Sequence, residues 1–166
     1  METREDCLMY KLKISCDAKA DIQMLDRMEK RAKDFRPVFK WAKQEIQKAN
    51  AENFTTNGLP VGGWSPLSAR YGAWKSVNFP GAPLMVRTGA LFKSLANLRG
   101  APNVIGKNFA IFGTNVEYAK FHQYGTTKMA KRQIVFEPVG FEAQLKLRAV
   151  EHIENDAVGG MLSWFR

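Results

Sequence analysis

The amino-acid sequence predicts an α+β fold, a small antiparallel sheet packed by N-terminal and C-terminal helices, with a long central loop. Three observations predict it. Apolar residues recur at helical spacing near both ends, short β-branched runs lie between them, and prolines and glycines crowd residues 57–83. A chain of 166 residues is long enough for one core, so a single domain over residues 1–166 is expected.

Tyr10, Leu12 and Ile14 alternate with Lys11, Lys13 and Ser15, which predicts a short first strand with one buried face. From Ala18 the period changes: Ile22, Leu25, Met28, Ala32, Phe35, Phe39, Ala42 and Ile46 recur every three or four residues, the stripe of an amphipathic helix. Pro37 interrupts that stripe, so we expect a break near Arg36 and a second helix from Pro37 to about Asn53, a single kinked helix being the alternative. Asn57-Gly58 stops it. Pro60, Gly62, Gly63, Pro66, Pro80, Gly81 and Pro83 then predict a long irregular segment. Thr88 has a hydroxyl suited to capping a helix that runs to about Leu95. Asn103 to Ile105 and Phe109 to Phe112 flank Gly106-Lys107 and predict a hairpin. Val116 to Tyr124 has helical spacing, Gln133 to Phe136 reads as a strand, and Phe141, Leu145, Arg148, Ala149 and Ile153 predict a last helix ended by Gly159-Gly160. The tail, Met161 to Phe165, is apolar with no complete element.

No apolar run approaches the roughly 18 residues that a membrane helix needs, and acids in METREDCLMYK argue against a secretory signal. A soluble protein made in the cytoplasm is expected, with Cys7 and Cys16 as reduced thiols. The net charge of +9 favours an acidic partner. Its distribution is uneven. Between Glu52 and Glu117 there is no acidic residue, while Arg70, Lys75, Arg87, Lys93, Arg99 and Lys107 fall there. Glu137, Glu142, Glu151, Glu154 and Asp156 make the C-terminal region acidic. One copy's basic middle meeting another's acidic end is one reading; two solvated faces of a monomer is the other.

The sequence offers little to chemistry. His122 and His152 are the only histidines, no Cys/His/Asp/Glu cluster has metal spacing, and there is no Gly-x-Ser-x-Gly elbow or phosphate loop. No catalytic residue, metal or cofactor is expected, and His122 is read as structural. Trp64, Tyr71, Trp74 and Phe79 sit in an acid-free basic stretch. They suit either a single-strand stacking platform or aromatic anchors for packing and interfaces, the reading we favour.

Several motifs occur in order. Gly63-Trp64-Ser65-Pro66-Leu67-Ser68 is followed by Tyr71 and Lys75. Thr88-Gly89-Ala90-Leu91 comes with Ser94. Gly113-Thr114-Asn115 leads into Val116-Glu117-Tyr118-Ala119 and Phe121-His122-Gln123-Tyr124-Gly125. Across roughly residues 22–156 the chain resembles the phage virion morphogenesis family, which covers Mu-like tail completion proteins and related head–tail joining proteins. It departs after Gly125, where such proteins carry a Pro-Ala-Arg-Pro-Phe type segment and this chain has Met129 to Phe136, with Arg132 and Phe136 retained. The resemblance implies a structural protein that forms a homo-oligomeric ring, commonly of six. It implies tail-tube or head-connector proteins as partners, transient contact with DNA passing the channel, a place in the virion's tail or neck, and assembly in the host cytoplasm. The motif residues Trp64, Pro66, Leu67, Tyr71, Lys75, Thr88, Gly89, Leu91, Ser94, Tyr118, His122, Gln123 and Gly125 are then the interface candidates. The rival reading is a free nucleic-acid-binding protein using the basic, aromatic-rich middle.

Overall fold

The computed structural model describes residues 18–97 and 102–154. Helix α1 spans Ala18–Ala32 and α2 spans Arg36–Thr55, so the chain breaks where Pro37 places the first turn of a new helix. Asp34 secures the break. Its carboxylate accepts the Arg36 amide at 3.1 Å and the Arg36 Nε at 2.8 Å, and the hydrogen bond from the Arg36 side chain holds the Asp34 carboxyl down at about 2.

The segment expected to be an irregular loop is more ordered than its prolines and glycines suggest. Leu59–Val61 form one 3₁₀ turn, and Ala69–Asn78 form a ten-residue helix, α3. Ser68 starts α3 by accepting the Tyr71 amide at 3.4 Å. The helix escaped prediction because Gly72 and the scattered apolar residues leave no continuous stripe; Tyr71, Trp74 and Val77 all remain exposed. Helix α4, Ala90–Ala96, begins at Gly89 with φ +78° and no side-chain cap. The Thr88 hydroxyl therefore caps no amide of α4, and Gly89 in the left-handed region occupies the N-cap position instead.

The predicted hairpin is present: β1, Val104–Ile105, pairs antiparallel with β2, Ala110–Ile111, with Val104 opposite Ile111. Its turn is tied to the α1–α2 break, where the Phe35 amide donates to the Lys107 carbonyl at 2.8 Å. Helix α5, Ala119–Tyr124, and helix α6, Phe141–Glu154, complete the described chain. The class is thus α+β, mostly helical with a two-stranded sheet. The strand expected at Gln133 to Phe136 does not form: these residues carry no strand and bend at Val135, their backbone bonding to side chains instead. The first strand at Tyr10 to Ile14, both cysteines, Gly159-Gly160 and the apolar tail lie outside the described residues.

Helix α6 lies against α1 and α2. Phe141 stacks on Trp41 at 6.0 Å, Arg148 sits 5.5 Å over the same indole, and His152 Nε2 donates to the Asp34 carbonyl at 2.8 Å. The end of α6 is thereby held at the start of α2. The core gathers at the other end of α2, where Phe54, Trp64, Leu91, Leu95, Ala119 and Ile134 bury one another. Phe54 meets Trp64 edge-on at 5.3 Å and Phe92 at 5.5 Å, the geometry that aromatic quadrupoles favour.

Trp64 reaches that core only because Gly58 has φ +84° and no side chain; a methyl group there would overlap the indole. Gly58→Ala is expected to lower stability by about 3 kcal/mol, from left-handed strain plus overpacking. Gly62→Ala, left-handed but facing open space, is expected to cost about 1 kcal/mol. Urea denaturation of the two variants measures the difference.

Candidate functional site

A cavity of about 690 Å³ opens between the loop after Trp64, helix α3, the stretch from Leu84 to Leu91, and helix α5 with the segment that follows it. It lies beside the core, at the end of α2. Nine of the motif residues line it: Pro66, Leu67, Tyr71, Lys75, Thr88, Gly89, Leu91, Tyr118 and His122. The chain separates the first from the last by more than fifty residues, and the fold brings them together.

The other four sit behind the wall and hold it. Trp64 is buried, and its Nε1 donates to the Gln133 carbonyl at 2.8 Å, an oxygen that also accepts Asn53 Nδ2 at 3.2 Å. Gln123 Oε1 accepts the amides of Ile134 and Val135, each at 2.9 Å, while its Nε2 donates to the Val135 carbonyl at 2.9 Å. Ser94 shares a hydrogen bond with Thr114, whose Oγ1 also accepts the Val116 amide at 3.2 Å. Gly125, at φ +76°, lets the chain turn tightly, since a Cβ there would come within 3.0 Å of the Lys131 backbone nitrogen.

The lining holds Lys75, Arg87, Lys128 and Arg132 and no Asp or Glu. Two of these cations are tied up by the fold. Arg132 is 5% exposed; its Nε donates to the Ser65 carbonyl and its Nη2 to the Pro66 carbonyl, both at 2.8 Å. Lys75 donates to the Leu84 carbonyl at 2.9 Å and to the Pro83 carbonyl. Burial pulls both pKa values below their usual ranges, as expected for cations taken from water and paired only with carbonyl dipoles. Arg87 and Lys128 are exposed. Of these four, the sequence motifs include only Lys75. Arg132 could be recognised beforehand only as the remnant of a departed motif, and no local signal marks Arg87 or Lys128.

His122 is half-buried against Tyr118, ring centroids 5.9 Å apart and nearly perpendicular. Its Nδ1 is buried with no hydrogen-bond partner among the described residues. Burial, and then the charge of Arg132, lower its pKa. The hydroxyls in the lining come from Ser68, Tyr71, Thr88 and Tyr118, and Ser68 Oγ already caps α3. With no carboxylate in the lining, nothing there orients the imidazole as a general base. Among the described residues no group of three His, Cys, Asp or Glu side chains could hold a metal, and no helix is long and apolar enough to cross a membrane.

A family model, the phage virion morphogenesis family, matches residues 17–149. No curated protein and no solved structure matches the chain.

Arg132→Met is expected to destabilise the protein by about 2–4 kcal/mol, because two carbonyls lose a charged donor. Arg132→Lys should recover little of this, since an ammonium cannot reproduce the fork; chemical denaturation measures both. His122 has a distinct pH signature. Its folded pKa lies below the unfolded value near 6.5, so its contribution is fully present above pH 6.5 and is lost as pH falls through the folded value. Stability measured between pH 7.5 and 5 should therefore fall less steeply in His122→Gln than in the parent.

Proposed function

This chain belongs to the phage virion morphogenesis family, and from that premise we propose that it is a non-enzymatic subunit of tail completion or head–tail joining. It works as a homo-oligomeric ring, six copies being the expected number, at the end of the tail tube or in the neck. Its partners are sister copies and the tail-tube or head-connector proteins, with DNA passing through the channel.

The observation that carries this reading is the imbalance of apolar surface. Among the described residues nine apolar side chains are buried, whereas sixteen large ones are exposed. Single exposed apolar residues are ordinary, but grouped ones mark contact surfaces. These are grouped. Tyr71, Trp74 and Val77 share helix α3; Val104, Phe109 and Ile111 share the hairpin; Val139, 98% exposed, tips the turn before α6. A chain that leaves so much outside is suited to burying it against copies of itself and other virion proteins. The buried cations of the cleft support the non-enzymatic part, because the side chains of Lys75 and Arg132 donate to backbone carbonyls rather than to a reacting centre.

One observation favours a second reading, a free nucleic-acid-binding protein. Tyr71, Trp74 and Phe79 form a run of contacting rings, at 5.5 and 5.7 Å, beside the acid-free cleft. Such a surface would take single-stranded nucleic acid with an affinity that falls steeply with salt.

Mass photometry of the purified protein, alone and with tail-tube protein, is expected to show discrete higher-order species, with incorporation into particles. A monomer under every condition that also never enters particles would defeat the ring reading. Titration with a labelled single strand at 50 and 200 mM salt is expected to show only weak binding; tight, salt-sensitive binding by the monomer would favour the second reading.

A further inference from the structure

We propose that the cleft is the receptor for the C-terminal segment of a neighbouring copy, residues 155–166, led in by Glu154. This rests on the ring reading and names the contact that builds the ring.

Charge and apolarity agree with that occupant. Leu67, Val86, Leu91 and Phe121 supply apolar lining, and Arg87 and Lys128 stand exposed at its edge. No carboxylate pairs with either among the described residues. The segment carries the complement in order: Glu154 and Asp156 first, then Val158, Met161, Leu162, Trp164 and Phe165. A cavity of about 690 Å³ lies within the size range that buries a drug-sized apolar ligand, which leaves room for the Trp164–Phe165 pair.

Geometry selects a neighbour over the chain's own tail. The end of α6 is pinned beside the start of α2 by the His152–Asp34 hydrogen bond, whereas the cleft adjoins the end of α2, where Phe54 meets Trp64. A twenty-residue helix is about 30 Å long. Twelve residues reach about 40 Å when fully extended, so the chain's own tail could bring Trp164 and Phe165 to the cleft only fully stretched and with Glu154 left at the end of α6, away from Arg87 and Lys128. Donor and receptor at opposite ends also make the contact heterologous: each copy gives its tail to one neighbour and receives another's. Such contacts close into a ring when the rotation between copies closes, which the ring reading requires.

The test uses full-length variants, each checked for folding by circular dichroism. Arg87→Glu with Lys128→Glu alters the cleft and leaves the tail intact. Leu162→Ser, Trp164→Ser and Phe165→Ser together alter the tail and leave the cleft intact. Where the parent assembles, each variant alone is expected to assemble at least tenfold more weakly, and an equimolar mixture to give discrete dimers, because one good tail meets one good cleft. Assembly of both variants at the parent's concentration would overturn the proposal. A fluorescein-labelled peptide of residues 153–166 gives an independent readout: it should bind the tail variant, and at least tenfold more weakly the cleft variant. Binding here from a parent that never assembles would support the receptor while removing the ring reading. A peptide that does not bind the tail variant overturns the proposal, as does a single-stranded oligonucleotide taking the site in its place. A monomeric mixture, with the peptide binding the tail variant much more tightly than an equally monomeric parent, would assign the cleft to the chain's own tail and also overturn it.

Discussion

Residues 132–135 set the side chains of Arg132 and Ile134 into the interior with no partner strand, and the backbone there must still satisfy its amides and carbonyls. The structure meets this constraint with side chains. Gln123 takes the amides of Ile134 and Val135 and returns a donor to the Val135 carbonyl, while Trp64 and Asn53 share the carbonyl of Gln133. Arg132 closes the arrangement by donating its amide to the His122 carbonyl and its guanidinium to the Ser65 and Pro66 carbonyls. Helix α2, the loop after Trp64, helix α5 and residues 132–135 are thereby joined at one place. Ile134, with no exposed surface, is set into the core as a consequence.

The same arrangement decides what the cationic cleft can do. A cation holding carbonyls in a buried site is not available to a ligand, and shortening Arg132 or Lys75 would release loop backbone before it affected any partner. The charge open to recognition is that of Arg87 and Lys128. The fold therefore divides one basic surface into structural cations and presenting cations, a division that net charge conceals. At His122, burial and the nearby charge of Arg132 favour the neutral imidazole.

Helices α1, α2 and α6 were legible in the sequence from apolar residues at helical spacing, although α1 and α6 bury none of their residues fully and Ile22 and Leu25 stay exposed. The Pro37 break and the hairpin around Gly106-Lys107 were legible too, because proline geometry and turn residues act within a few positions. Helix α3 was not, since Gly72 and the prolines and glycines on both sides of it mark the segment as irregular. The segment at Gln133 to Phe136 has strand-like composition, but whether a partner strand exists beside it is a non-local matter, and side chains satisfied its backbone instead. Thr88 lost its expected role because the neighbouring Gly89 adopts a backbone that a β-branched residue avoids.

By itself the sequence determined the α+β class, the helices on either side of the central segment and the acid-free middle, since these follow from local periodicity and composition, while the set of motif residues came from the resemblance to the family. Only the tertiary structure decided that nine of those residues share one cleft, that Arg132 and Lys75 hold loops while Arg87 and Lys128 face outward, and that the end of α6 and the cleft lie at opposite ends of α2. The physical reason is that the availability of a charge or an apolar side chain depends on which distant carbonyls and rings the fold brings against it, and spacing along a chain carries no record of that.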